Sequence, residues 1–201
     1  MRRLPINRGV IVCILFVALL TIGLDAKNAN HAQAVTYTVT KTADTNDGAC
    51  DADCSLREAI ISANNAPGAD VIFIPAGTYI FSIEGTDENA AATGDLDITD
   101  DLTINGAGTS NTFIDGGALD RVFDIDGATT NVNISDVTIQ NGLVTDYPGA
   151  GLFNGGVLVV DHVTVTGNVV NGTHSYATAG GLFSNGKATV ISSTISNNQA
   201  D

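Results

Sequence analysis

Gly151-Leu-Phe-Asn returns as Gly181-Leu-Phe-Ser, and this offset of 30 residues is what most constrains the fold. Carried forward, it pairs Val160 with Val190, Val165 with Ile195 and Asn168 with Asn198. Backwards, with small insertions and deletions, it yields three sets of apolar positions. One is Phe123, Phe153 and Phe183, with Ile98 as an earlier member. A second is Ile104, Ile134, Val160 and Val190, and a third is Ile114, Ile139, Val165 and Ile195. The apolar runs are short, and Gly, Asn and Asp separate them. In the later repeats two of the sets stand five residues apart around a polar pair: Ser135-Asp136, Asp161-His162 and Ser192-Ser193. A unit this short cannot bury its own apolar side chains, so it must stack on its neighbours.

The expectation is an all-β chain forming a parallel β-helix with three strands per coil, preceded by an N-terminal strand and a capping α-helix. Coils stacked about 4.8 Å apart pair their backbones and cover each other's side chains. Asn168 and Asn198, at equal register, are placed to form part of an amide ladder. A β-sandwich is the competing fold. Its strands alternate over longer stretches, whereas here the runs are short and the length changes fall between them.

The first coil of such a stack needs a cover, because an open end exposes apolar side chains and strand edges. Thr36-Tyr-Thr-Val-Thr-Lys-Thr reads as a strand. Ser55 and Glu58 have capping-box spacing. Leu56, Ile60 and Ala63 then fall on one face of a helix that Asn64-Asn65-Ala66-Pro67-Gly68 ends. So short a helix is marginal alone and must dock, and Leu56 and Ile60 suit it to the mouth of the stack.

The chain divides into three regions: a signal peptide at 1–34, a cap at 35–69 and coils at 70–201. Arg2, Arg3 and Arg8 precede an apolar run from Val10 to Leu24, which is short for a membrane span, and Ala32-Gln33-Ala34 offers a cleavage site. An uncleaved anchor is the alternative. Removing 34 of 201 residues leaves 167, enough for one domain. It also leaves 4 of the 8 basic and 21 of the 22 acidic residues, a net charge of 4 − 21 = −17. Such a surface repels nucleic acid and anionic membranes and keeps an extracellular protein soluble. No membrane association is expected after cleavage.

Cys50 and Cys54 remain, and a secreted context favours a disulfide between them. Two thiols without a nearby His are too few for a metal site, and the spacing is not that of a redox pair. The loop from Asp44 to Asp53 is rich in acids and amides, but its glycine is one place early for a calcium loop and a twelfth-position Glu is missing. No cofactor is assigned, with calcium kept as an option.

Asp44 through Asn64, around Cys54-Ser-Leu-Arg-Glu-Ala-Ile60, resembles the N-terminal signature of secreted bacterial CSLREA-domain proteins. Asp70-Val-Ile-Phe-Ile-Pro-Ala-Gly-Thr-Tyr79 is similar to the first coil of pectin-lyase-like β-helix proteins. The resemblance covers about 40 residues. It implies a right-handed coil and a secreted or cell-surface location. Related solenoids include adhesins, polysaccharide lyases and hydrolases.

The functional expectation is a structural or adhesive surface module with extracellular polysaccharide or other cell-surface glycans as partners. The segments 142–149 and 167–179 should stack on one edge, and they supply the candidate ligand-binding residues Asp146, Tyr147, His174 and Tyr176. The alternative is a polysaccharide lyase or glycoside hydrolase. Asp95/Asp97 and Asp124/Asp126 have the i, i+2 spacing that puts two carboxylates on one face. Arg121 and Lys187 are the only basic residues along the coils, and the His, Arg and Asp set typical of pectin hydrolases is missing. No residue is therefore assigned a catalytic or metal-binding role. A calcium-stabilised scaffold is a third reading. The chain stops soon after a strand, at Asn198-Gln-Ala-Asp201, which is read as truncation of a longer protein.

Overall fold

The structure, a computed structural model, describes residues 33–201 except Asp87, Thr173 and Tyr176. The expected signal segment lies outside the described residues but for its last two positions. The described chain forms a parallel β-solenoid of about four turns with one short helix.

The chain enters through β1 (Thr36–Thr38) and α1 (Leu56–Asn65). The first rung holds β2 (Asp70–Phe73) and β3 (Gly77–Ile80). The second holds β4 (Leu96–Ile98), β5 (Leu102–Asn105) and β6 (Thr112–Asp115). The third holds β7 (Phe123–Ile125), β8 (Asn131–Ser135), β9 (Thr138–Gln140) and β10 (Leu143–Thr145). The fourth repeats this with β11 (Leu152–Asn154), β12 (Val157–Asp161), β13 (Thr164–Thr166) and β14 (Val169–Asn171). The last contains β15 (Leu182–Ser184), β16 (Lys187–Ile191), β17 (Thr194–Ser196) and β18 (Gln199–Ala200). All strand pairs among the described residues are parallel.

The strands stack into four sheets, ordered β1-β2-β5-β8-β12-β16, β3-β6-β9-β13-β17, β4-β7-β11-β15 and β10-β14-β18. The fourth sheet departs from the expected three strands per coil. It appears only from β10 onward, so successive turns of this solenoid differ in cross-section.

Two of the expected apolar columns are present and each starts one rung earlier. Ile72, Ile104, Ile134, Val160 and Val190 are register partners in the first sheet. Tyr79, Ile114, Ile139, Val165 and Ile195 are partners in the second.

The phenylalanine column is not formed as expected. Phe153 pairs with Phe183, and their rings stack at 5.6 Å. Phe123, however, pairs with Leu152, while Phe153 stands opposite Asp124. The inward columns of the third sheet are Leu96-Phe123-Leu152-Leu182 and Ile98-Ile125-Asn154-Ser184. A shift of one residue moves a strand side chain to the opposite face. Phe123 is therefore fully buried, and Phe153 and Phe183 lie on the outer face.

Corners are made by single residues in the left-handed region. Asp136, His162 and Ser192 have φ of 56°, 53° and 46° at one corner, so the third polar corner is Ile191-Ser192, one place before the expected pair. After the next corner comes the amide ladder. Asn168 is fully buried, and its Oδ1 accepts from Gly142 N–H at 2.8 Å. Asn198 Oδ1 accepts from both the Asn168 backbone N–H (3.0 Å) and Nδ2 (2.9 Å). A Cβ on Gly151 or Gly181 would stand 2.8 or 2.6 Å from the ladder amides of Asn168 and Asn198. The recurring glycine of the Gly-Leu-Phe motif is thus needed for close packing.

At the near end, β1 extends the edge of β2 and α1 packs on β1, β2 and β4. Ser55 Oγ accepts from Glu58 N–H at 3.1 Å, and Glu58 Oε2 accepts from Ser55 N–H at 2.7 Å, completing the capping box. Leu56, Ala59, Ile60 and Ala63 are buried in the main core. The Cys50–Cys54 disulfide closes the approach to the helix.

Candidate functional site

The outer face of the third sheet carries an unusual column. Asp97, Asp124, Phe153 and Phe183 succeed one another rung by rung. Above it runs the segment 81–95, whose Ala91 N–H donates to Asp97 Oδ2 at 2.7 Å. Asp97, on the outward side of its strand, is thereby only 2% exposed.

Asp95, two residues before Asp97, shares its face. Carboxylate oxygens of Asp95, Asp97 and Asp124 lie within 4.8 Å of one another. Arg121, in the turn before β7, supplies the counter-charge. Its Nη1 pairs with Asp124 Oδ2 and stands 3.4 Å from Asp95 Oδ2. Its Nε and Nη2 donate to the carbonyls of Gly149 and Pro148 at 3.1 and 3.2 Å. The guanidinium lies 5.2 Å from the centre of the Phe153 ring, within cation–π range.

The carboxyl groups have unequal proton affinities. Burial, with the neighbouring Asp97 and Asp120 and against the pull of Arg121, pushes Asp95 up to about 8. Burial raises Asp97 to about 7, opposed by the Ala91 N–H and reinforced by Glu88. Burial lifts Asp124 to about 6 against Arg121, with Asp126 and Asp120 adding to the rise. Protons are therefore held near neutral pH, and the group can both donate and accept hydrogen bonds. Its oxygens could also take a cation, but the Arg121 guanidinium already spans Asp95 and Asp124.

Asp95, Asp124 and Arg121 open into a groove of about 540 Å³, while Asp97 stays buried behind them. Glu88 and Asn89 of the 81–95 segment form one wall. Leu143, Tyr147, Pro148 and Phe153 form the other, and Asp95, Arg121 and Asp124 lie between. Tyr147 is 62% exposed.

The four residues chosen from sequence divide. Asp146 and His174 meet, with Oδ1 and Nδ1 2.9 Å apart on the edge where the loops after β10 and β14 stack. Tyr147 turns instead into the groove, and Tyr176 lies outside the described residues. Of the carboxylate pairs, Asp95 and Asp97 come together with Asp124, whereas Asp126 accepts from Asn89 Nδ2 at 3.2 Å. The i, i+2 spacing signalled the first pair. What sequence reasoning missed was that Arg121, Tyr147 and Phe153, from the two following turns of chain, line the groove beside Asp95.

His162 sits at a left-handed corner with its Nδ1 2.8 Å from Asp161 Oδ1. Among the described residues, no helix is long and apolar enough to cross a membrane. No protein-family model, no curated protein and no solved structure matches this chain.

Proposed function

We propose that this chain is a secreted or cell-surface solenoid module, structural or adhesive in role, that holds a carbohydrate in the groove over the third sheet. The observation that carries the reading is the groove itself, where the exposed Tyr147 and the half-buried Phe153 stand beside the carboxyl groups of Asp95 and Asp124. Pockets that hold ligands combine an apolar wall with a few placed polar groups. The cation of the groove, Arg121, is already paired with Asp95 and Asp124. The groove therefore favours neutral glycans over polyuronates. The same proposal includes a right-handed coil in which the first three sheets form the repeating three-strand unit and the sheet β10-β14-β18 is added to the later turns. The general preference for right-handed crossovers between parallel strands supports the handedness. It also includes a signal segment removed after Ala34 and kinship with CSLREA-domain proteins, supported by the residues 44–64.

Affinity electrophoresis through neutral and acidic polysaccharides tests the reading. Retardation by a neutral glycan is expected, with affinity reduced about tenfold or more by Tyr147→Ala. Unchanged mobility in every polysaccharide would sink it. N-terminal sequencing of exported protein should begin at Val35.

A glycoside hydrolase is the second reading, favoured by one observation: carboxylate oxygens of Asp95, Asp97 and Asp124 meet in one cluster, and Asp95 and Asp124 line the groove. A glycosidase draws its general acid and its ionised partner from such a pair of carboxyl groups. Release of reducing ends that is abolished by Asp124→Asn would replace the binding module with the enzyme.

A further inference from the structure

The motif-bearing helix has one side chain that covering the stack does not require. Arg57 is wholly buried, and it points away from the Leu56–Ile60 face into the segment 81–95. Its Nε and Nη2 donate to the two carboxylate oxygens of Asp44 at 2.7 and 3.2 Å. Nη1 donates to the carbonyls of Ala91 (2.9 Å) and Asp95 (3.2 Å), and Nη2 also donates to that of Gly94 (2.8 Å). All five guanidinium N–H groups are thus used. The ring of Phe81 lies 5.4 Å from the guanidinium carbon.

Asp44 works at the other end of the same segment. Its Oδ2 accepts from Ser82 N–H at 2.8 Å and Ile83 N–H at 3.1 Å. One ion pair therefore grips the beginning of the segment through Asp44 and its end through Arg57. Gly94 N–H closes the base by donating to Ile83 O at 2.9 Å. Between these points the chain supplies Glu88 and Asn89 to the groove wall, and it leads directly into Asp95 and Asp97.

We propose that the Asp44–Arg57 pair is a positioning clamp for the groove: it ties the N-terminal cap to segment 81–95 and so holds that wall, with Asp95, against Arg121 and Asp124. Only the guanidinium has the planar, multi-donor geometry to hold three carbonyls and a carboxylate together. The consequence for ligand rests on the carbohydrate reading, but the clamp does not.

The test is backbone amide hydrogen exchange on the full chain without ligand, so its outcome is independent of whether any glycan binds. Asp44→Asn keeps side-chain size and removes the charge; Arg57→Lys keeps the charge and removes the fork. Ile60→Val weakens the cap without touching the pair and serves as the control. The clamp predicts that Ala91 and Gly94 amides exchange at least about tenfold faster in Asp44→Asn and Arg57→Lys, while amides of β8 and β12 keep their wild-type rates. Ile60→Val should leave the contrast between segment and coils unchanged. Wild-type rates at Ala91 and Gly94 in a folded Asp44→Asn protein would overturn the proposal, as would equal acceleration everywhere. If neither variant folds, the wild type decides. Ser82, Ile83, Ala91 and Gly94 should then exchange at a common rate, and a spread above about tenfold among them would overturn the clamp.

Discussion

At the first rung Ile72 and Tyr79 are buried, whereas their register equivalents in the last rung, Val190 and Ile195, are 47% and 46% exposed. The two rungs place these side chains at the same register positions of the first two sheets. They differ in which described residues cover them. β1 lends its backbone to the edge of β2, and α1 adds Leu56, Ile60 and Ala63. The pattern of a coil makes its apolar residues available for burial, and only a neighbour buries them. The near end also shows that a cap can carry a second task, since Arg57 leaves the plug and reaches the groove segment.

Substitutions at the two ends should separate sharply. Ile60→Asp places a charge in a fully buried site. It should cost about 4 kcal/mol or more and yield insoluble or unfolded protein in denaturant titration. An unchanged melting profile would end the cap interpretation. Asn168→Ala, in the interior, strands Gly142 N–H and breaks the ladder to Asn198. A loss of about 2–3 kcal/mol is expected, and Asn198→Ala should lose less because its side chain belongs to the exposed last rung.

pH should act on the cap and the groove with opposite signs. Burial of Glu58 opposes its ionisation, but hydrogen bonds from Ser55, Thr45 and Asp47, with Lys41, outweigh it and hold the group at about 2. Its folded-state value is below the unfolded one, so its contribution is full above the ordinary carboxylate range and is lost as pH falls through about 2. Asp95 and Asp97 are raised to about 8 and 7. Their contribution is greatest below the ordinary carboxylate range and is lost as pH climbs through those values. Melting temperature against pH should therefore lose its acid limb in Glu58→Gln, and in Asp95→Asn the decline that runs from the ordinary carboxylate range up to about pH 8. Identical curves for all three proteins would refute the assignment.

Smaller effects complete the comparison. Ser55→Ala removes half the capping box and should cost about 1 kcal/mol. Val190→Asp, at a rung that no described residue covers, should change stability by less than about 0.5 kcal/mol in the 201-residue chain. A large loss there would mean that another chain covers that rung.

Much of the fold was legible because stacked coils repeat their apolar spacing. The columns through Ile104 and Ile114 could be traced by residue type alone. The column through Phe123 could not, because Phe occurs on both faces of the third sheet and identity misled by one place. The fourth sheet was hidden in segments that read as loops, such as Leu143–Thr145 and Val169–Asn171. At the candidate site, the carboxylate spacing of Asp95 and Asp97 was visible, while their partners were not. Arg121 is an isolated basic residue in sequence, and nothing local says that it faces Asp95 across a rung.

Residue order was enough to specify the stacking, the capped helix and its apolar face, since each follows from periodicity or from contacts within a few residues. Packing in three dimensions settled which acids meet, which phenylalanines turn outward, and that Asp44 and Arg57 join two ends of a distant segment. Those outcomes depend on register between strands about 25 to 30 residues apart, where a slip of one position exchanges inside for outside.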